Sequence, residues 1–258
     1  MHGERLNDGL SVVATGEGPP LVVLPGLGRG ADLSERVPRM AAWSNAAVAR
    51  GLRRTVHLVN RPLHPPPNMT VAQLAGWYAT ALRERFAEPV DVMGTSAGGV
   101  TAVQLALDHP GTVRRLVLCG AASRVGEEGI RDLTQVMELE QQGRSAARLG
   151  SGLVADGPAR LLMMAGIALA PKQPPAPGEA ALVAAVRTWD VTGRLGEVGM
   201  PVLIVGGARD RLVPPDLMRA TAAGVRDGRL VLLPGRGHIT ASFDRRGTRA
   251  IKTFLAVG

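Results

Sequence analysis

Residues 94–98 read Gly-Thr-Ser-Ala-Gly and come directly after a short apolar run, residues 89–93. Glycines on both sides of a serine, between a strand and a helix, are typical of a sharp turn that exposes the serine hydroxyl. The serine in such a turn has a positive φ, so its neighbours must lack a Cβ that would strike the adjacent strand and helix. Residues 98–108 carry apolar side chains spread around a helix. The sequence therefore predicts a nucleophile elbow at Ser96, and a glycine turn without chemistry is the alternative.

Apolar runs alternate with helical segments along most of the chain, which favours an α/β fold with a mostly parallel central sheet and helices on both faces. The predicted strands are residues 10–15, 20–25, 55–60, 89–93, 114–119, 201–206 and 229–233. The predicted helices are residues 34–51, with a kink near Pro38, 70–86, with Thr70 as N-cap, 98–108 and 244–255.

About 80 residues separate two of these strands, far more than the 30 or so of a βαβ unit. Residues 127–149, 157–170 and 178–189 are predicted as helices, with a proline-rich break at residues 171–177. We expect an inserted helical cap at residues 123–195, over a core formed by residues 1–122 and 196–258, because open α/β sheets bind ligands at the carboxyl ends of their strands. Six apolar cap residues could line a pocket, although core packing suits each of them better: Met137, Leu161, Met163, Met164, Ile167 and Leu169.

The composition limits which partners and cofactors the protein is expected to bind. The formal net charge is +8, and Lys172 and Lys252 are the only lysines, so arginine supplies nearly all of the positive charge. The arginines are scattered and aromatic residues make up 3% of the chain, which favours a solvated surface over a nucleic-acid interface. Attraction to anionic partners or substrates stays open. Metal and organic cofactors are not expected, since no cluster of Cys and His residues is present.

The single cysteine, Cys119, excludes an intramolecular disulfide, and its apolar surroundings in the sequence indicate a small core residue. The first residues are polar and lack the apolar segment of a signal peptide, and no apolar run approaches the length of a membrane span. We therefore expect a soluble cytoplasmic protein.

A serine nucleophile needs a base and a carboxylate that orients the base. The candidate base is His238, in a glycine-rich loop just past the last predicted strand. The candidate carboxylate is Asp210, in a loop that follows the preceding strand, and Asp216 and Asp244 are rivals that could instead cap helices. Asp210 could also be a loop carboxylate paired with a neighbouring arginine. The chain order Ser96, Asp210, His238 is that of the α/β-hydrolase triad.

An oxyanion hole needs two backbone N–H groups, one from the residue after the nucleophile and one from the loop after an earlier strand. Ala97 supplies the first. Leu27, in the Pro-Gly-Leu-Gly sequence at residues 25–28, is the candidate for the second, with its side chain facing the substrate. A plain glycine turn is the alternative explanation of that loop.

Over nearly its full length the chain resembles the serine-nucleophile branch of the α/β-hydrolase fold superfamily, with a helical cap, as in esterases and lipases. The resemblance rests on GTSAG, GARDRLVP and GRGH, which contain Ser96, Asp210 and His238, and on HPGTVRRLVL and DVTGRLGEVGMPVLIVGG. Pro25 departs from the histidine that many relatives carry there. Serine at the elbow excludes the aspartate-nucleophile branches, and Ile239 stands where hydroxynitrile lyases of this fold have lysine.

The resemblance implies a serine hydrolase without cofactors that cleaves an ester, thioester, lactone or amide through an acyl-enzyme. An apolar cap favours a small, largely apolar ester as substrate. Two other classes stay open: a non-hydrolytic member of the fold that binds or rearranges a small-molecule metabolite, and an interaction protein that uses its basic surface.

Overall fold

The computed structural model describes residues 3–28, 32–170 and 173–256. Within these residues, eight strands form a single sheet. The strands are β1 (Gly3–Arg5), β2 (Ser11–Thr15), β3 (Pro20–Leu24), β4 (Thr55–Asn60), β5 (Val90–Thr95), β6 (Val113–Cys119), β7 (Val202–Gly207) and β8 (Gly228–Leu233).

The strand order across the sheet is β1-β2-β4-β3-β5-β6-β7-β8. Strand β2 pairs antiparallel with β1 and with β4, whereas every pair from β4 to β8 is parallel. The predicted α/β class with a mostly parallel sheet is confirmed. All seven predicted strands are present within a few residues of their expected bounds, and β1 is an additional edge strand of three residues.

Helices cover both faces of the sheet. They are α1 (Arg39–Leu52), α2 (Val71–Arg85), α3 (Ala97–Asp108), α4 (Glu127–Gln141), α5 (Ala147–Val154), α6 (Gly157–Leu169), α7 (Pro177–Val186), α8 (Pro215–Gly224), α9 (His238–Ser242) and α10 (Arg245–Ala256). Helices α1 and α10 pack on one face, and α2, α3 and α8 pack on the other.

The two-sided core follows from the alternation of side chains along each strand. In β3, Leu21 and Val23 join the cluster beneath α1 and α10, while Val22 and Leu24 join the cluster beneath α2 and α3. A strand buried on both faces is a continuous apolar run, which is the pattern of residues 20–25.

Two helix starts follow local sequence signals. The side chain of Thr70 accepts a hydrogen bond from the N–H of Gln73, whose own side chain accepts from the N–H of Thr70, so the predicted N-cap forms a reciprocal capping box. Helix α1 begins after Pro38 rather than at residue 34, because proline is disfavoured inside a helix and restricts the residue before it.

Four helices, α4 to α7, lie between β6 and β7. The predicted helix at residues 127–149 is two helices, since Gly143 has φ +66° and interrupts the segment. The predicted proline-rich break at residues 171–177 lies partly outside the described residues. None of the described helices is long and apolar enough to cross a membrane.

Candidate active site

Ser96 lies between the end of β5 and the start of α3 with φ 52° and ψ −121°, a backbone conformation that an L-residue rarely adopts. The glycines beside it leave no room for side chains. A Cβ on Gly98 would come within 2.1 Å of the carbonyl oxygen of Leu24, and a Cβ on Gly94 within 2.5 Å of the Cα of Gly99. The sharp turn predicted from the motif is therefore present, and it brings the serine to the carboxyl edge of the sheet.

The structure brings together the three side chains predicted for the site. The Nε2 atom of His238 is 2.9 Å from the Oγ of Ser96, and the Nδ1 atom is 2.7 Å from Oδ2 of Asp210. Asp210 and His238 are buried, with 3% and 7% of their surfaces exposed. The arrangement is a serine hydroxyl next to an imidazole that is held by a carboxylate.

Backbone groups hold the carboxylate of Asp210. Its Oδ1 accepts hydrogen bonds from the N–H groups of Leu212 and Val213, at 3.0 and 2.9 Å, which leaves Oδ2 for the histidine. The rival carboxylates lie elsewhere. Asp216 is in the first turn of α8, and Asp244 pairs with two arginines, Arg236 and Arg246.

The imidazole of His238 is fixed at the start of α9. The N–H of Gly237, just before the helix, donates to the Oγ1 of Thr240 at 2.7 Å. Gly120, with φ +60°, borders the ring so closely that a Cβ would lie 3.1 Å from its Cε1 atom. Close packing on this side restricts the ring to the line between Ser96 and Asp210.

Leu27 and Ala97, the two predicted oxyanion donors, line one cavity together with Ser96 and His238. Ala97 is the first residue of α3, and the first N–H groups of a helix have no carbonyl partner within their own helix. Leu27 follows β3, the strand next to β5 in the sheet. Both residues therefore lie beside Ser96, and their N–H groups remain the candidate oxyanion donors.

This cavity has a volume of about 310 Å³ and largely apolar walls. Residues 123–195, between β6 and β7, provide seven of the lining residues: Arg124, Val125, Leu133, Val154, Leu182, Val183 and Val186. The six apolar residues proposed from the sequence are not among the lining residues. Met137 packs in a separate cluster, and Leu161 and Leu169 are 63% and 86% exposed, because helix α6 buries none of its residues.

A second cavity of about 320 Å³ lies on the face of the sheet beneath α1 and α10. Thr95, Cys119 and Ser242 line both cavities. Cys119 packs partly against the core, as expected, and burial raises the pKa of its thiol to about 12. A thiol with that pKa stays protonated at neutral pH and is a poor nucleophile.

Two charged residues near the site were not singled out from the sequence. Arg61 directly follows β4 and is 5% exposed, and its guanidinium donates hydrogen bonds to the carbonyl oxygens of Gly26 and Gly28. Glu179, in α7, is 8% exposed. The position of Arg61 at the carboxyl end of a strand was the available signal. Its partners lie some 35 residues away in the chain, and no local pattern reveals them.

A sequence model of the alpha/beta hydrolase family matches residues 21–250. The chain belongs to the alpha/beta hydrolase family. It is 25% identical over 241 residues to a pimeloyl-[acyl-carrier protein] methyl ester esterase of Nitrosomonas europaea, covering 89% of this chain and 92% of that protein. It is 29% identical over 244 residues to the protein of the same name from Stenotrophomonas maltophilia, covering 89% of each.

Among solved structures, a hydrolase from Pseudomonas aeruginosa superimposes on this member of the family with a TM-score of 0.78 and 22% identity, covering 99% of this chain and 98% of the other. That likeness concerns the fold. Within the described residues, no three His, Cys, Asp or Glu side chains are grouped as metal ligands would be.

Proposed function

We propose that this protein is a serine hydrolase that cleaves a carboxylic ester, or a thioester or lactone, of a small and largely apolar substrate. The observation that carries the proposal is the continuous hydrogen-bonded line from Ser96 through His238 to Asp210, with distances of 2.9 and 2.7 Å. A nucleophile within hydrogen-bond reach of a base, and a base held by a third group, is the arrangement that acyl transfer requires.

In the proposed reaction, His238 takes the proton of Ser96 as Oγ attacks the ester carbonyl carbon. Asp210 holds the imidazole through Nδ1 and stabilises its protonated form. The same histidine then gives the proton to the leaving alcohol as the tetrahedral intermediate collapses to an acyl-enzyme. Water, activated by His238, releases the acid and regenerates the serine.

Negative charge develops on the carbonyl oxygen during both steps. We assign the N–H groups of Leu27 and Ala97 as its donors, since both residues border the space in front of Ser96. Loss of one such donor lowers kcat by about 10²–10³-fold in other enzymes of this type.

The shape of the cavity supports the substrate class. Its walls are mostly aliphatic, and Arg124 is the only arginine or lysine among the described lining residues. The two relatives from Nitrosomonas europaea and Stenotrophomonas maltophilia are named as methyl ester esterases, which supports an ester as the bond cleaved. We further propose that residues 123–195 act as a cap, because seven of them wall the cavity, and that the protein works in the cytoplasm, where a lone thiol stays reduced.

Labelling with a fluorophosphonate probe tests the proposal. The probe should modify the wild-type protein at one site, and Ser96→Ala and His238→Ala should abolish the labelling. Ser242→Ala is the matched control, since Ser242 lines the same cavity while the ring nitrogens of His238 pair with Ser96 and Asp210, and this variant should label normally. p-Nitrophenyl esters of increasing chain length should show falling kcat/KM once the acyl group exceeds the cavity.

Absence of labelling in well-folded wild-type protein would contradict the proposed hydrolase function. Ligand-induced stabilisation without turnover would then favour a binding protein of this fold.

A further inference from the structure

Arg61 is a buried cation placed behind the proposed oxyanion loop, residues 25–28. One guanidinium nitrogen, Nη1, donates to the carbonyl oxygen of Gly26 at 2.9 Å, and Nη2 donates to that of Gly28. These two carbonyls stand on either side of Leu27. A single side chain therefore holds both ends of the loop segment that carries the proposed donor.

The carbonyl of Gly26 and the N–H of Leu27 belong to the same peptide unit. None of the described peptide bonds is cis, and in a planar trans peptide the C=O and N–H bonds point in opposite directions. An arginine that holds the carbonyl on one side of the plane therefore directs the Leu27 N–H to the other side. Ser96 is close to this peptide, since a Cβ on Gly26 would lie 3.3 Å from the Cβ of Ser96. A hydrogen bond accepted by the carbonyl also polarises the N–H of that unit.

The second proposed donor is held in the same manner by a different part of the fold. The Ala97 N–H shares its peptide unit with the carbonyl of Ser96, which accepts from Gly99 N–H at 2.8 Å and Val100 N–H at 3.2 Å. Those bonds come from the first turn of α3. The loop at residues 25–28 has no helix, and Arg61 supplies the equivalent restraint.

The surroundings of Arg61 fit this role. Burial lowers the pKa of its guanidinium, and attraction to Glu179 opposes that effect. Among the described residues, no carboxylate oxygen lies within 4 Å of the guanidinium, so its nearest partners are the two loop carbonyls. A buried cation satisfied by carbonyl oxygens has a fixed geometry, because losing either hydrogen bond would leave charge unpaired.

The residues after Arg61 also anchor the inserted segment. The N–H of Gly178, in α7, donates to the carbonyl of Leu63 at 3.0 Å. A Cβ on Gly178 would lie 2.6 Å from the carbonyl oxygen of Pro62, so the helix and this loop are in close contact. The loop that begins at Arg61 thus contacts the oxyanion loop at one end and the wall of the cavity at the other.

We propose that Arg61 is a positioning residue that fixes the Gly26–Leu27 peptide so that the Leu27 N–H faces the developing oxyanion. The proposal rests on the hydrolase function proposed above. It predicts that removing the guanidinium weakens binding of the transition state while substrate binding, which needs the apolar walls, changes little.

The test compares wild type with Arg61→Met, Arg61→Lys and the control Arg54→Met. Arg54 is 6% exposed and lies in an ion cluster with Asp91 at the opposite edge of the sheet, so its loss should reduce stability without altering kcat. Arg61→Met should lower kcat about 10²–10³-fold with KM within a few-fold of wild type. Arg61→Lys should recover only part of the rate, since one ammonium group lacks the fork that reaches two carbonyls.

Two further measurements separate positioning from general damage. Affinity for a trifluoromethyl ketone, which forms a tetrahedral oxyanion adduct with the serine, should fall by the same factor as kcat/KM in Arg61→Met. Crystal structures of wild type and Arg61→Met should show the Gly26–Leu27 peptide rotated in the variant. An unrotated peptide together with unchanged ketone affinity would overturn the proposal.

The crystallographic comparison does not depend on turnover. A wild-type protein that neither labels nor hydrolyses esters would refute the proposed function, while the peptide orientation in Arg61→Met would still decide whether Arg61 holds the loop.

Discussion

Replacing Asp91 with asparagine should destabilise the fold while leaving the chemistry at Ser96 intact. Asp91 is fully buried at the start of β5 and accepts five hydrogen bonds from three arginines, Arg54, Arg114 and Arg115, at 2.8–3.1 Å. Arg54 and Arg115 are also buried, and they donate to the carbonyls of the last turn of α10. The carboxylate is therefore the counter-charge for a cluster that ties α10 to the sheet.

The magnitude follows from what the substitution leaves behind. Asparagine keeps the shape of Asp91 but removes the negative charge, so two buried guanidinium groups lose their ionic partner. Breaking a buried ion pair in this way costs about 3–5 kcal/mol. For a chain of this size, about 2–4 °C of Tm is lost per kcal/mol, so the midpoint should fall by roughly 6–20 °C.

The stabilisation that Asp91 provides should decrease as the pH falls. Burial alone raises the pKa of Asp91, but hydrogen bonds from Arg115 and Arg114 outweigh it and hold the pKa below its usual value. A carboxyl whose folded pKa is depressed stabilises the protein above its unfolded pKa of about 3.9, and that contribution is lost as the pH falls through the folded pKa. The difference in the free energy of unfolding between wild type and Asp91→Asn should therefore be largest at pH 6 and decrease below about pH 4.

Differential scanning calorimetry and urea unfolding measure the difference in stability between wild type and Asp91→Asn. Asp227→Asn is the control, because Asp227 pairs with Arg229 on the surface at 3.3 Å and its loss should cost under about 1 kcal/mol. Ser96 lies five residues further along the chain than Asp91, about 16 Å along an extended strand, so kcat at 15 °C should match wild type. An Asp91→Asn protein as stable as Asp227→Asn would refute the assignment of the cluster as a source of stability.

Three other predictions concern the site. Asp210→Asn should lower kcat by about 10³–10⁴-fold, whereas Asp216→Asn should leave it unchanged; equal losses in steady-state assays would mean that the wrong carboxylate was assigned. Cys119, with a pKa of about 12, should resist iodoacetamide at pH 8 until the protein is unfolded, and rapid alkylation of native protein seen by mass spectrometry would contradict the raised pKa of its thiol. Gly98→Ala places a Cβ 2.1 Å from a backbone oxygen and should abolish fluorophosphonate labelling, while Gly111→Ala, with open space around it, should label as wild type does.

Most of the candidate site could be predicted from the sequence because its signals are local. The glycines around Ser96 report a backbone conformation that only small neighbours allow, and the loops carrying Asp210 and His238 each follow a short apolar run. Parallel strands end at one edge of a sheet, so residues just past three such strands come together whatever the intervening sequence is.

The features that escaped prediction depend on contacts between distant segments. The proposed role of Arg61 depends on its hydrogen bonds to backbone carbonyl oxygens in the loop after β3. Every residue has a backbone carbonyl, so the residue types in that loop do not indicate this contact. Helix α6 is apolar in sequence yet exposed, since periodicity shows which side chains share a face and not what covers that face. Strand β1 has three residues, too few for an alternating pattern to be read.

The two cavities on either side of Thr95, Cys119 and Ser242 give this fold spare room beside its reacting atoms. All three side chains are short, and the two cavities have volumes of about 310 and 320 Å³. Replacing Ser242 with glycine or Thr95 with alanine would remove atoms from the walls of both cavities at once. Enlarging the range of accepted esters thus calls for removing a few atoms from these shared wall residues rather than for rebuilding the helices between β6 and β7.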